Sequence, residues 1–166
     1  MISLGEAKGV LFMSAYNVQD VANWMLSKGS MSPKKLQKMI YYAYAWVLTL
    51  LNDSDDELNN KLFEDKIEAW VHGPVVHSIY EKYSKYGYES IPKFEDKDVV
   101  SFSDDIEDIL NQVWEVYSKY SADELESLTH QESPWKNARS GLTPLQRSNV
   151  QISDKDIYDC YIQRVS

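Results

Sequence analysis

Three histidines, His72, His77 and His130, are the residues of this 166-residue chain best suited to acid–base or metal chemistry. His72 and His77 lie five apart across Gly73-Pro74, not at the spacing that puts two ligands on one helix face. The single cysteine, Cys160, is far along the chain from both, so no thiolate cluster supports a zinc site. A third ligand from His130 would need the fold to deliver it. No glycine-rich phosphate loop, nucleophile elbow or dinucleotide fingerprint occurs. The carboxylate pairs Asp55-Asp56 and Asp104-Asp105 fall in a polar loop and at a helix start. Solvation and complementing the helix dipole account for them better than proton transfer does. The expectation is a protein without catalytic residues, metal or cofactor, whose chemistry is recognition.

The stretch that could recognise a partner is Lys66–Gly87, KIEAWVHGPVVHSIYEKYSKYG. Ile67, Ala69 and Val71 alternate with Glu68 and Trp70, an extended pattern of period two. Gly73-Pro74 breaks it: glycine opens backbone angles closed to other residues, and proline suits a first helical position. Val76, Ile79, Tyr80 and Tyr83 then recur at helical spacing, with Gly87 as a stop. This reading places a turn that displays Trp70, His72 and His77 together, with a helix over 75–86 leaving it. The alternative is structural, with Trp70 and Val75 filling a core and the histidines decorating a turn.

Bulk properties narrow the partner. Twenty-six acidic against 17 basic side chains give a formal charge of −9, which repels phosphates and makes non-specific nucleic-acid binding an unfavourable reading. One cysteine cannot form an internal disulfide and fits a reducing compartment. No apolar run approaches the roughly 20 residues that span a bilayer, and the first residues, with Glu6 and Lys8, do not make a signal peptide. A cytoplasmic location without membrane insertion is expected. Residues 1–13 read as a leader ahead of one domain over 14–166. Twelve tyrosines and five tryptophans supply large rings with polar tips, useful in cores and at interfaces.

The elements that would position the turn are helical. Asn17 caps a helix over 18–28 that ends at Gly29. Ser32-Pro33 opens the strongest helix, 33–51, in which Leu36, Met39, Ile40, Ala43, Val47, Leu50 and Leu51 form one stripe. Tyr41, Tyr42, Tyr44, Trp46 and Leu48 make its second half apolar nearly all round, so it is read as the central core helix. Lys34, Lys35 and Lys38 at its entrance read as a solvated helix end. The burial of this helix also argues against a helix-turn-helix DNA reader, which needs an exposed, basic second helix. Asn52–Lys61 is an acidic surface loop. Further helices are expected over 104–120, 122–130, opened by the capping box Ser121–Glu124, and 154–163, with a helical turn at Ser133-Pro134-Trp135. Ala138–Gln151 reads as a loop. The sum is a mainly α, compact single-domain bundle of five to six helices, with at most a small β element near 66–71 and 91–102.

Three motifs in this order resemble the Panacea domain of SocA-like antitoxins. Leu36, Lys38, Tyr41, Tyr42 and Ala43 match the family's first helix. Glu68, Ala69, Trp70, Gly73, Pro74, Val75 and Tyr80 match its Glu-Ala-Trp-x-x-Gly-Pro-Val turn, and Leu128, Thr129, His130, Pro134 and Trp135 its third segment. The resemblance runs from about Tyr16 to Gln163. His72 stands where an aromatic residue is common, and the third motif matches only from Leu128 onward. The resemblance implies an antitoxin, of bacterial or prophage origin, that neutralises a cognate protein toxin by direct contact; an adaptor role for a ClpXP-type protease lies within the same range. It brings no catalytic site. A phage or prophage regulator of another host protein is the alternative, and a non-metal enzyme comes third. The partner-binding residues expected from turn and resemblance together are Trp70, His72, Gly73, Pro74, His77, Tyr80, His130, Pro134 and Trp135.

Overall fold

The computed structural model describes residues 2–4 and 15–165. Among these residues seven α-helices and one two-stranded antiparallel sheet share a single hydrophobic core, so the mainly α expectation holds. The helix α1 (Val18–Lys28) is capped by the Asn17 side chain, which accepts from the Gln19 N–H. Ser32 caps α2 (Pro33–Leu50) in the same way, with Pro33 at its start. Fourteen of the 18 residues of α2 are buried, which decides its place: a helix apolar on every side must be wrapped by other elements. It packs against α1, α4 (Asp104–Tyr117), α5 (Ala122–His130) and α7 (Asp154–Ile162).

The rings along α2 bring polar tips into the core, and each tip that finds a partner fixes a neighbouring element. Trp46 Nε1 donates to the Tyr117 hydroxyl at 3.0 Å, while Tyr42 stacks on the Tyr117 ring at 3.9 Å. The Tyr44 hydroxyl donates to Asp154 at 2.7 Å at the start of α7. Tyr161 of α7 donates to the buried Glu132 carboxylate at 2.7 Å, which Arg164 also reaches at 3.0 Å. Burial raises the Glu132 pKa, against the opposing pull of these two donors.

The stretch after the acidic loop differs from the sequence reading. Ile67–Trp70 (β1) and Gly73–Val76 (β2) form a hairpin, with Ile67 opposite Val76 and Trp70 opposite Gly73. Pro74 is therefore a strand residue, not the first residue of a helix, and α3 begins only at His77 and ends at Tyr83. A 3₁₀ turn over Ser84–Tyr86 completes the segment. The two-residue loop Val71-His72 has no positive φ; Gly73 takes it instead, at φ 110°. The outer edge of β1 is paired as well. The Ala69 amide donates to Val150 O and the Ile152 amide to Ile67 O, both at 2.8 Å, so the loop expected over Ala138–Gln151 ends as a strand-like partner. Near 91–102 the described residues form no strand, only an isolated bridge of Met31 with Ile91.

Other differences are at boundaries. The helix expected over 104–120 stops at Tyr117, and Ser133–Ala138 forms a short helix, α6. The leader expected over 1–13 falls mostly on residues 5–14, outside those described. Of the rest, Ile2 is buried in the core, and Ser3 exchanges two hydrogen bonds with Gln112 of α4, at 3.0 and 2.6 Å. No helix among the described residues is long and apolar enough to cross a membrane.

Ile40, on the stripe of α2, is 0 % exposed. Replacing it with alanine removes buried methyl groups and leaves a cavity, so Ile40→Ala should cost about 2–5 kcal/mol in urea unfolding. A cost below about 1 kcal/mol would mean that α2 is not the packed centre.

Candidate partner-binding site at the hairpin

The site is built on a strand edge that has been closed from inside. A hairpin alone exposes the unpaired amides and carbonyls of its edges. At β2 these groups are taken by side chains from the entrance of α2. The Val76 amide donates to Gln37 Oε1 at 2.9 Å, and Gln37 Nε2 donates to Val76 O at 3.0 Å. Pro74 has no amide to satisfy, and its carbonyl accepts from Lys38 Nζ at 3.3 Å. Lys38 reaches that carbonyl by passing Gly73: a Cβ there would lie 2.5 Å from Lys38 Cε and 3.1 Å from Thr129 Oγ1. Glycine is required twice over at this position, for its φ and for the space.

Of the three lysines read as a solvated helix end, Lys38 is instead 1 % exposed. The other two are engaged as well. Lys34 pairs with Asp123 at 2.8 Å and with Glu126, and Lys35 donates to Ser118 O at 2.5 Å. Spacing on α2 does not reveal this, because the cover over Lys38 comes from β2 and α5, far along the chain.

The hairpin is gripped from behind by the third motif. Trp135 Nε1 donates to Trp70 O at 2.8 Å, and Arg139 donates to Ala69 O at 2.9 Å while also reaching Gln146 O at 2.6 Å. His130 stacks on Trp135 at 3.9 Å, 13° from parallel. Its Nε2 is buried without a hydrogen-bond partner among the described residues, and burial lowers its pKa. Gly73, Pro74 and Pro134 are buried, and His130 and Trp135 are half-buried.

Of the remaining expected residues, His72, His77 and Tyr80 are exposed and Trp70 is half-buried. Tyr80 is 46 % exposed, its ring centre 4.8 Å from that of Trp70, with His77 6.1 Å away. His77 Nε2 lies 2.8 Å from Glu81, and His72 Nδ1 lies 3.3 Å from Glu126. Tyr80 does not belong to the buried stripe of α3, which consists of Ile79 and Tyr83. The nine residues thus gather at one hairpin in two layers: His72, His77 and Tyr80 outside around the half-buried Trp70, the others behind them. Two acidic neighbours were not among the expected binding residues: Glu68, named only as part of the turn motif, which accepts from Trp70 Nε1 at 2.8 Å, and Glu81. Both have a local signature, the i, i+2 spacing to Trp70 on a strand and the i, i+4 spacing to His77 on a helix. Among the described residues no group of three or more His, Cys, Asp or Glu side chains is placed to hold a metal.

Burial drives the Lys38 ammonium down to about 7 from 10.5, against the attraction of Glu126 and with the repulsion of Lys34. Between these values the unfolded chain holds a proton that the folded chain lacks, so stability should rise with pH there. Below pH 7 the cost of burying the charge is at full size. Lys38→Met removes the titrating group, so its stability advantage over wild type should shrink from pH 7 to 9, by up to about 1.4 kcal/mol per unit. Urea unfolding at three pH values gives the difference; a constant gap would place the amine in water.

The model of the antitoxin SocA-like Panacea domain matches residues 36–136, more than half of the chain. No curated protein and no solved structure matches it. The matched span starts beside Gln37 and Lys38, includes the hairpin they close, and ends just past Trp135. It therefore contains both halves of the closed edge and the brace behind it. The chain belongs to the SocA-like antitoxin family, through its Panacea domain.

Proposed function

We propose that this protein is an antitoxin that neutralises a cognate protein toxin by binding it directly, without catalysis, through the outer face of the hairpin and α3. Family membership supports a protein partner. The observation that favours this face is the division of the motif residues: Gly73, Pro74 and Pro134 are buried, while His72, His77 and Tyr80 are exposed around the half-buried Trp70 ring. Rings with polar tips on a rigid support make good anchors, since they bury area while losing few rotamers. The net charge of −9 would speed encounter with a basic partner.

Co-expression with the protein encoded beside it tests the reading. Wild type should restore growth and co-purify with that protein. Tyr80→Ala removes an exposed ring with no hydrogen bond among the described residues, so it should stay folded by circular dichroism. It should weaken binding by roughly 30-fold, a loss of about 2 kcal/mol typical of an interface anchor. Full affinity in a folded Tyr80→Ala protein would move the interface elsewhere, and a wild type that neither rescues nor binds would end the antitoxin reading.

A further inference from the structure

The outer face has a chemistry of its own. Trp70 and Tyr80 meet at 58° with ring centres 4.8 Å apart, an open corner rather than a stack. Glu68 is fixed at one margin by the Trp70 indole N–H at 2.8 Å. Glu81 follows Tyr80 on α3 and pairs with His77, whose ring centre lies 6.1 Å from that of Trp70; 69 % of the Glu81 side chain is exposed. Two ring faces with carboxylates at their margins suit a planar cation, which is attracted to the ring quadrupole through its face and to carboxylates through its edge.

The rest of the molecule offers a contrast. The chain's own cations already cover six of its rings: Lys28 on Trp24, Lys82 on Tyr83, Lys85 on Tyr86, Lys119 on Tyr120, Arg139 on Trp135 and Arg164 on Tyr161. Among the described residues no lysine or arginine lies over Trp70 or Tyr80, although acidic side chains flank them; the imidazole nearby, His77, is turned to Glu81 with its ring centre 6.1 Å from that of Trp70. The corner is thus an acidic aromatic site over which no lysine or arginine of the described residues lies.

We infer that the Trp70–Tyr80 corner receives an arginine side chain of the partner protein, its guanidinium lying against the rings and its N–H groups directed at Glu68 and Glu81. This deepens the proposed antitoxin reading by naming the group that the outer face recognises, and it rests on that reading for its biological setting. Lysine fits less well, because a compact ammonium has no planar face to lay on a ring and no fork for two carboxylates.

The test uses the intact protein and three short peptides, identical except for a central arginine, lysine or citrulline. Citrulline keeps the shape of arginine and removes its charge. The Trp70 indole N–H resonance, assigned with Trp70→Phe, reports on the corner. The arginine peptide should shift it saturably with a Kd of about 1–5 mM, and the citrulline peptide should bind at least about 5-fold more weakly, with lysine between them. Glu81→Gln should weaken the arginine peptide about 3-fold, and Tyr80→Ala should abolish saturation. Equal binding of citrulline or lysine, no saturable shift up to about 20 mM, or a shift unchanged in Tyr80→Ala would overturn the assignment. No toxin is needed here, so failure of the titration leaves growth rescue standing, and failure of rescue leaves the titration standing.

Discussion

The closed edge of β2 is the constraint on which the rest of the molecule depends. A two-stranded hairpin has little stability of its own, and this one carries the candidate interface. Gln37 substitutes for a missing strand at Val76, and Lys38 substitutes for it at Pro74. The central helix thereby fixes the hairpin's position directly, through side chains one residue apart at its entrance. The substitution dictates sequence on both sides. Proline suits position 74 because it brings no amide to the edge, and position 73 calls for glycine because its φ is 110°, with the lysine stem filling the space a side chain would take. On the far edge the 150–152 segment pairs with β1, and from behind Trp135 and Arg139 hold its carbonyls. Among the described residues none of these contacts covers the face carrying Trp70, His77 and Tyr80, and His77 and Tyr80 are exposed there.

This arrangement has a cost, and its location is informative. A lysine buried to 1 % exposure with one long hydrogen bond among the described residues is destabilising while charged. A leucine there would pack without that penalty but would leave the Pro74 carbonyl unpaired. Nearby, Lys34 carries the ion pairs to α5, so Lys38 is not the contact that joins those helices. Its distinctive contribution is the strand edge, which ties the stability of the hairpin to the protonation of one amine.

Much of the helical frame was legible from the sequence because it is written locally. Periodicity, Asn17, Ser32-Pro33 and the Ser121–Glu124 capping box set the starts of α1, α2 and α5 within a residue, and the all-round apolar character of α2 set its central place. What was misread depends on distant partners. Gly73-Pro74 has the local signature of a helix start, and only the antiparallel register with Ile67–Trp70 turns it into a strand. Lys38 looks like a solvated helix end until the hairpin and Thr129 close over it. Arg139 looks like part of a loop until its guanidinium reaches three carbonyls. For the candidate site, the residues that converge on the hairpin could be named from order and type. Which of them brace it and which face outward could not, because that depends on contacts between segments some 60 residues apart, such as Trp135 with Trp70.

Amide hydrogen exchange at Val76 tests the edge closure most directly, because that N–H donates to Gln37 rather than to a strand. The Ile152 amide, on the far side of β1, serves as the internal reference for global opening. In Gln37→Ala, the Val76 amide should exchange faster than in wild type by about 10-fold more than Ile152 does, the loss of one buried hydrogen bond seen as local opening. Equal acceleration of the two amides, or a Val76 amide as protected as in wild type, would contradict a hairpin held in place by the entrance of the central helix.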